Sequence, residues 1–416
     1  MKNFLLFLLI ISVLSVLNPA YSQESISMGA GYAYDVYYSL EDGVIAEEER
    51  EGWDIGFYTI ASSAGIITNG GMEVELYTYP NGDTTAWLDI DTNGLSMWPK
   101  LFNGEDSWEN GAFNRNSHGY PDAGWGIYNI STNDIVGDSI YIIKLADGTF
   151  KQLWIVKKIS DENKYVIKYA NLNNSSAKEK TLDVDNFLGM NFAYFEFESG
   201  SLFDREPETY EWDILFTKYQ AMLPQGVPFP VVGVLNNVNT PANRFHPVTL
   251  DFNDWFTQPL DPAKAVIGYN WKWFDLGSFQ WNLEDSLLFF VSAPNGNIYK
   301  IYFTFYEGTS TGNIEFEQEV VSMVDISDLQ ENMASMRLLP NPADNMVTVT
   351  WNHELNRDAD IRIFNIIGKE VMFRSLGADA QSRGGIRLDI SSLHEGMYIV
   401  SIISGGTVVN EKLVVR

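Results

Sequence analysis

A tryptophan-centred strand motif occurs twice in the chain. Trp53-Asp54-Ile55-Gly56-Phe57 is echoed by Trp212-Asp213-Ile214-Leu215-Phe216. Upstream, Tyr38-Ser-Leu-Glu-Asp-Gly43 is echoed by Phe195-Glu-Phe-Glu-Ser-Gly200, and downstream the stretch 140–155 is echoed by 288–303. The offsets are 157, 159 and 148 residues, so the order is kept while the length drifts. Conserved order at a long period is the mark of internal duplication. Whatever fold one copy adopts, the other must be able to adopt too.

Both copies read as β structure. Asp147-Gly148 and Asn295-Gly296 each sit between alternating apolar runs. An Asx-Gly pair supplies the positive φ angles that a tight hairpin needs. A further strand follows in each copy, at 164–169 and 313–317. The regions 76–135 and 236–280 are irregular and rich in Asn, Gly, Pro and Trp. Loops of that length in a compact domain usually carry function or cover the core. No amphipathic helix longer than about ten residues is evident. The expected class is all-β, with one β-rich domain over 23–190 and a second over 191–324.

The ends read differently. Lys2 precedes an apolar run from Phe4 to Leu17, followed by Ala20 and Ser22 at the spacing of a cleavage site before Gln23. Residues 1–22 therefore read as a signal peptide. The run falls short of the ~20 residues that a membrane span requires, so no transmembrane segment is expected in the mature chain. From 333 onward nine Lys/Arg balance nine Asp/Glu, whereas the whole chain carries a formal charge of −28. The acidic excess thus lies in the middle of the chain. Such a step in charge marks a domain boundary, and the unpatterned stretch 325–336 reads as a linker. Beyond it, 347–351, 361–364, 386–390, 398–402 and 412–415 alternate cleanly and predict a small β-sandwich over 337–416.

Four motifs stand in that tail: Leu339-Pro340-Asn341-Pro342-Ala343, Asn365-Ile-Ile-Gly368-Lys369, Leu393-His-Glu-Gly396-Met-Tyr398, and the terminal Lys412-Leu-Val-Val. In order and spacing they resemble the C-terminal sorting domain of type IX (Por) secretion. The resemblance implies passage through the periplasm, export by the type IX machinery, and release or attachment at the outer-membrane surface.

Composition removes several chemistries. The 416 residues include no cysteine, which excludes disulfides, thiolate metal sites and cysteine nucleophiles. The acidic cargo should repel polyanions, so no nucleic-acid partner is expected. Gly308-Thr-Ser310-Thr-Gly312 fits a hydrolase pattern, but strands flank it where a strand-to-helix elbow is required. Asp89-Ile-Asp91-Thr-Asn93-Gly94 matches the first half of a calcium loop, yet its twelfth position is Lys100 in place of glutamate. An Asx-rich turn is the first reading there, with a weak Ca²⁺ site as the alternative. No catalytic residue is assigned. With so many carboxylates, a paired-carboxylate hydrolase stays open as a residual reading without a distinctive signal.

The Trp-Asp-Ile-x-Phe strands, with Ile66-Ile-Thr68-Asn69-Gly70-Gly71 and the later hairpin, resemble the HmuY-like haem-binding family. The family signature falls on Trp53, Asp54, Ile55 and Phe57, and again on Trp212, Asp213, Ile214 and Phe216. That resemblance implies two tandem HmuY-like domains and haem held by two axial His or Met side chains. Each copy offers one histidine in the relevant region, His118 and His246, with Met97 or Met72 as a second ligand in the first copy. Arg115 and Arg244 stand near them and could meet propionates. The competing reading makes both histidines ordinary surface residues. A separate expectation comes from Trp87, Trp98, Trp108 and Trp125 in one loop region and Trp255, Trp271, Trp273 and Trp281 in its counterpart. These either cover the core or stack on a glycan. The sequence thus points to an exported binding or structural protein rather than an enzyme, with haem, another small ligand or a glycan as partner.

Overall fold

The computed structural model describes residues 22–223, 226–321, 336–351, 355, 359–366, 368–376, 384–404 and 407–416. The leader up to residue 21 and most of the linker lie outside them. Among the described residues the fold is all-β, and the helical elements are 3₁₀ turns of at most five residues.

The predicted hairpins form. Tyr141–Lys144 pairs antiparallel with Phe150–Ile159, and Leu288–Ser292 with Ile298–Tyr306. Their turns are built alike. Gly148 and Gly296 have φ of +86° and +91°, and the side chains of Asp147 and Asn295 accept the N–H two residues on. The next strands, Lys164–Asn171 and Asn313–Val320, extend each sheet.

The duplication is present, but the copies exchange strands. In one four-stranded sheet the order is Ser201–Phe203, Phe192–Glu196, Ile55–Tyr58, Ile66–Thr68. Its counterpart runs Gly43–Glu49, Tyr34–Ser39, Ile214–Met222, Pro228–Asn236. Each Trp-Asp-Ile strand therefore pairs with the hairpin of the other copy: Phe195 faces Ile55, and Tyr38 faces Ile214. The second sheets match as well. Lys178–Asp183 lies on Lys164–Asn171, and Ser22–Ser27 lies on Asn313–Val320.

One module is thus contiguous, about 53–206. The other joins 22–50 to 212–321, so strand pairing crosses the boundary that the sequence suggested between 190 and 191. Each module has its own core. The first is packed around Ile55, Phe57, Trp125, Tyr165 and Phe195, the second around Tyr38, Ile214, Phe216, Trp271 and Phe316. Burying each such side chain contributes roughly 1.5–3 kcal/mol.

The signature residues enforce the exchange. The Asp54 carboxylate accepts the Phe197 N–H at 2.8 Å, and Asp213 accepts the Leu40 N–H at 2.7 Å. The Asn69 side-chain amide donates to the Trp53 carbonyl, and Asn237 donates to that of Trp212. Each acid thereby holds the incoming hairpin, and each amide fixes the turn that aims the acid.

The tail is the predicted sandwich. Met336–Leu339, Met346–Trp351 and Gly384–Asp389 form one sheet, and Glu370–Ser375, Asp360–Asn365, Gly396–Ser404 and Thr407–Val415 the other. Val349, Ile363, Val400 and Leu413 are buried between them.

Candidate functional site

The aromatic run of the second module divides where the chain leaves the core and enters the strand Lys272–Asp275. Trp271 is 1% exposed, stacked on Phe303 with ring centroids 3.8 Å apart, whereas Trp273 is 50% exposed. Lys272–Asp275 pairs only with Gln280–Leu283, forming a separate two-stranded hairpin. Its base is fixed by Lys272, whose ammonium donates to the Val232 carbonyl at 2.6 Å and lies 3.9 Å from the Trp271 ring and 4.5 Å from that of Tyr306. Burial pulls the Lys272 pKa down to about 7. Trp281 crosses to Tyr306 edge-on at 4.9 Å, and Gly308 makes room for it, since a Cβ there would stand 2.7 Å from the Trp281 indole nitrogen.

On the hairpin's outer face the half-exposed Trp273 lies opposite Asn282, with Gln280 opposite Asp275 one pair further on. Asp275 closes the tip by accepting the N–H groups of Gly277 and Ser278. The result is an indole face on a two-stranded hairpin anchored at its base, with amide side chains beside it and exposed Leu276 and Phe279 at the tip. Most other tryptophans of the two loop regions serve packing. Trp87 and Trp125 are buried, and Trp98, Trp108 and Trp255 are partly buried against apolar clusters.

The residues expected to ligate haem do not come together. His118 lies in the first module, highly exposed, with Nδ1 3.1 Å from Asp122; His246 lies in the second, with Nε2 3.2 Å from Glu284. Met97 is 84% exposed, and Met72 ends the 3₁₀ turn Gly70–Met72. Arg115 covers the Phe102 ring, and Arg244 lies over Phe289 and bonds Asn270. Asp91 accepts the Asn93 N–H in an Asx turn, and Asp89 is exposed. Among the described residues no three His, Asp or Glu side chains gather as cation ligands. Ser310 sits in the exposed turn between Ile298–Tyr306 and Asn313–Val320.

Among the described residues, three cavities stand near the elements above. An open cleft is lined by Arg244, Glu105, Asp106 and Asp261. A cavity of about 90 Å³ lies between Tyr58, Met190 and Tyr210 of the cargo and Pro340, Met346 and Arg387 of the tail. The third, about 80 Å³, lies where the two modules meet. It gathers Arg50, Arg205 and Lys264, which are 1%, 9% and 5% exposed. No local pattern marks these three, because they are far apart in the chain and each stands in an unremarkable stretch.

In the tail the expected motif residues act on the last strand. The Asn341 side chain donates to the Lys412 carbonyl at 2.5 Å and accepts the Val414 N–H at 2.9 Å, in the manner of a neighbouring strand. Pro340 and Pro342 flank it, both with cis peptide bonds. Gly368 takes φ +79° in the turn where the Lys369 N–H bonds the Asn365 side chain. Gly396 opens the strand on which the Tyr398 hydroxyl donates to the His394 carbonyl at 2.7 Å.

No curated protein matches this sequence. Among solved structures, slight likenesses link it to PorZ, a surface component of the type IX secretion system of Porphyromonas gingivalis (10% identity, TM-score 0.16, 70% of this chain and 44% of that one). Others link it to dimeric latent PorU from the same organism (10%, 0.19, 94% and 34%) and to a tetra-tandem repeat from the extending region of a large adhesion protein (13%, 0.15, 64% and 70%). The chain spans less than half the length of PorZ and of PorU. Residues 337–416 match the secretion system C-terminal sorting domain family, Por_Secre_tail. The chain is accordingly a type IX export cargo that carries its sorting signal as a C-terminal β-sandwich.

Proposed function

We propose that the exported cargo is a carbohydrate-binding protein acting at the cell surface or after release, with Trp273 as its stacking platform. The observation that carries this reading is a half-exposed indole on a braced hairpin, with Asn282 and Gln280 beside it. An aromatic face takes up the apolar face of a sugar ring, and neighbouring amides can pair with its hydroxyls. The test is affinity electrophoresis through gels cast with a panel of polysaccharides. We expect retardation in at least one gel, lost in Trp273→Ala while the circular dichroism spectrum stays unchanged. No retardation anywhere, or equal retardation of the variant, overturns the reading.

Haem capture rests on the family resemblance and has less geometric support. His118 and His246 lie in different modules, each against a carboxylate. None of His118, His246, Met72 and Met97 lines a cavity described above. Titration of haemin with His118→Ala and His246→Ala in parallel decides it: a saturable Soret shift lost in one variant would restore haem and name the active copy.

A further inference from the structure

We infer that the cavity between the two modules is a binding site for a small oxyanion of the carboxylate or phosphate class. Its walls come from both copies: Asp35 and Arg50 from the first hairpin, Arg205 from the equivalent end of the second, and Tyr219 and Lys264 from the second module. In a chain of net charge −28, three buried cations converge there. The carboxylate among them, Asp35, is already saturated. It takes Arg50 at 2.9 Å, Arg205 at 3.0 Å and the Thr217 hydroxyl at 2.6 Å. The nearby Glu206 is committed elsewhere, accepting the Phe192 N–H and the Tyr194 hydroxyl.

Arg50 also donates to the Lys218 and Tyr34 carbonyls and Arg205 to those of Glu48 and Glu49, but several other donors in the cavity are unanswered. Arg50 Nε, Trp53 Nε1 and the Tyr219 hydroxyl are buried without partners. Burial raises the Tyr219 pKa, which keeps its hydroxyl protonated as a donor. The Lys264 ammonium lies 4.8 Å from the Trp108 ring, and among the described residues it has no hydrogen-bond acceptor. Its acidic neighbours are otherwise engaged: Glu105 accepts the Met222 N–H, and Asp106 accepts the Asn110 amide. Buried donors in native proteins are almost always satisfied, and unsatisfied ones call for a missing acceptor. Cations in a poorly solvated cavity favour an acceptor that is also an anion. The volume, about 80 Å³, suits a carboxylate or tetrahedral oxyanion group and excludes a nucleotide. This site shares no residue with the Trp273 hairpin and stands or falls independently of it.

Isothermal titration of the full chain with inorganic phosphate and with acetate, against chloride at matched ionic strength, tests the assignment. Saturable binding of one of them is expected, and which one binds distinguishes a tetrahedral from a planar ligand. Lys264→Met should bind about tenfold more weakly, as for loss of one charge-assisted hydrogen bond. Tyr219→Phe, which keeps the ring and removes only the hydroxyl, should also weaken binding, and it decides the matter if Lys264→Met fails to fold. No saturable binding of either probe, or binding unaffected by the folded variants, overturns the inference.

Discussion

Arg50 and Arg205 hold the two oxygens of one carboxylate, Asp35, at 2.9 and 3.0 Å. The arginines close the two exchanged hairpins, so a single acid ties both copies together at their joint. Asp35→Asn leaves two buried guanidinium groups without a counter-charge. Breaking a buried pair in this way typically costs about 3–5 kcal/mol. Urea denaturation should show a lowered midpoint, and an unchanged midpoint would refute the clasp.

The exchanged strands give a second prediction. A chain lacking 22–50 should lose the module built on 212–321, because Tyr34–Ser39 and Gly43–Glu49 supply two strands to one of its sheets and Ser22–Ser27 one strand to the other. The module at 53–206 contains all its own strands and should persist. Limited proteolysis with mass spectrometry should recover a resistant fragment near 53–206. Survival of the 212–321 part would contradict the pairing.

The two signature acids make stability depend on pH. Burial raises Asp54 and Asp213 from an ordinary 3.8 to about 6. The folded chain then binds these protons more tightly than the unfolded chain. Their stabilising contribution is fully present below about pH 4 and is lost as pH rises through 6. Asn can still accept the Leu40 N–H while carrying no charge to desolvate. Relative to wild type, Asp213→Asn should therefore gain on the order of 2 kcal/mol between pH 4 and pH 7. Parallel denaturation curves at the two pH values measure it, and a constant difference would count against it.

Gly71 lies where the first module meets Ile214–Met222. A Cβ there would stand 2.1 Å from the Lys218 carbonyl and 3.2 Å from Arg50 Nη1. Gly71→Ala should lower stability by about 1–3 kcal/mol through overpacking. Thermal unfolding reads this, and a neutral result would mean that the joint yields.

The parts that could be read from sequence were those set by neighbouring residues. Asp147-Gly148 and Asn295-Gly296 dictate their hairpins through local φ angles, and the tail strands follow from alternation. The exchange was not legible. Trp53-Asp54-Ile55 and Trp212-Asp213-Ile214 present nearly the same chemistry, so nothing local says which hairpin each receives. Trp271 and Trp273 share the same strand parity, and only the tertiary fold separates them: Trp271 ends in the core, and Trp273 is carried out on a separate two-stranded hairpin. Arg50, Arg205 and Lys264 meet only through tertiary closure, and no motif joins them.

That closure bears on how the cargo is made. Ser22 pairs with Gln318, so the first strand waits for the last one before its sheet is complete. Contacts so distant in sequence form slowly and leave strand edges open meanwhile. In synthesis the closing strand, Asn313–Val320, emerges shortly before the sorting domain at 337–416. The sorting domain at 337–416 thus follows in the chain after the strand that completes this sheet. A chain cut short before residue 313 therefore lacks both the strand that completes the sheet of Ser22–Ser27 and the sorting domain.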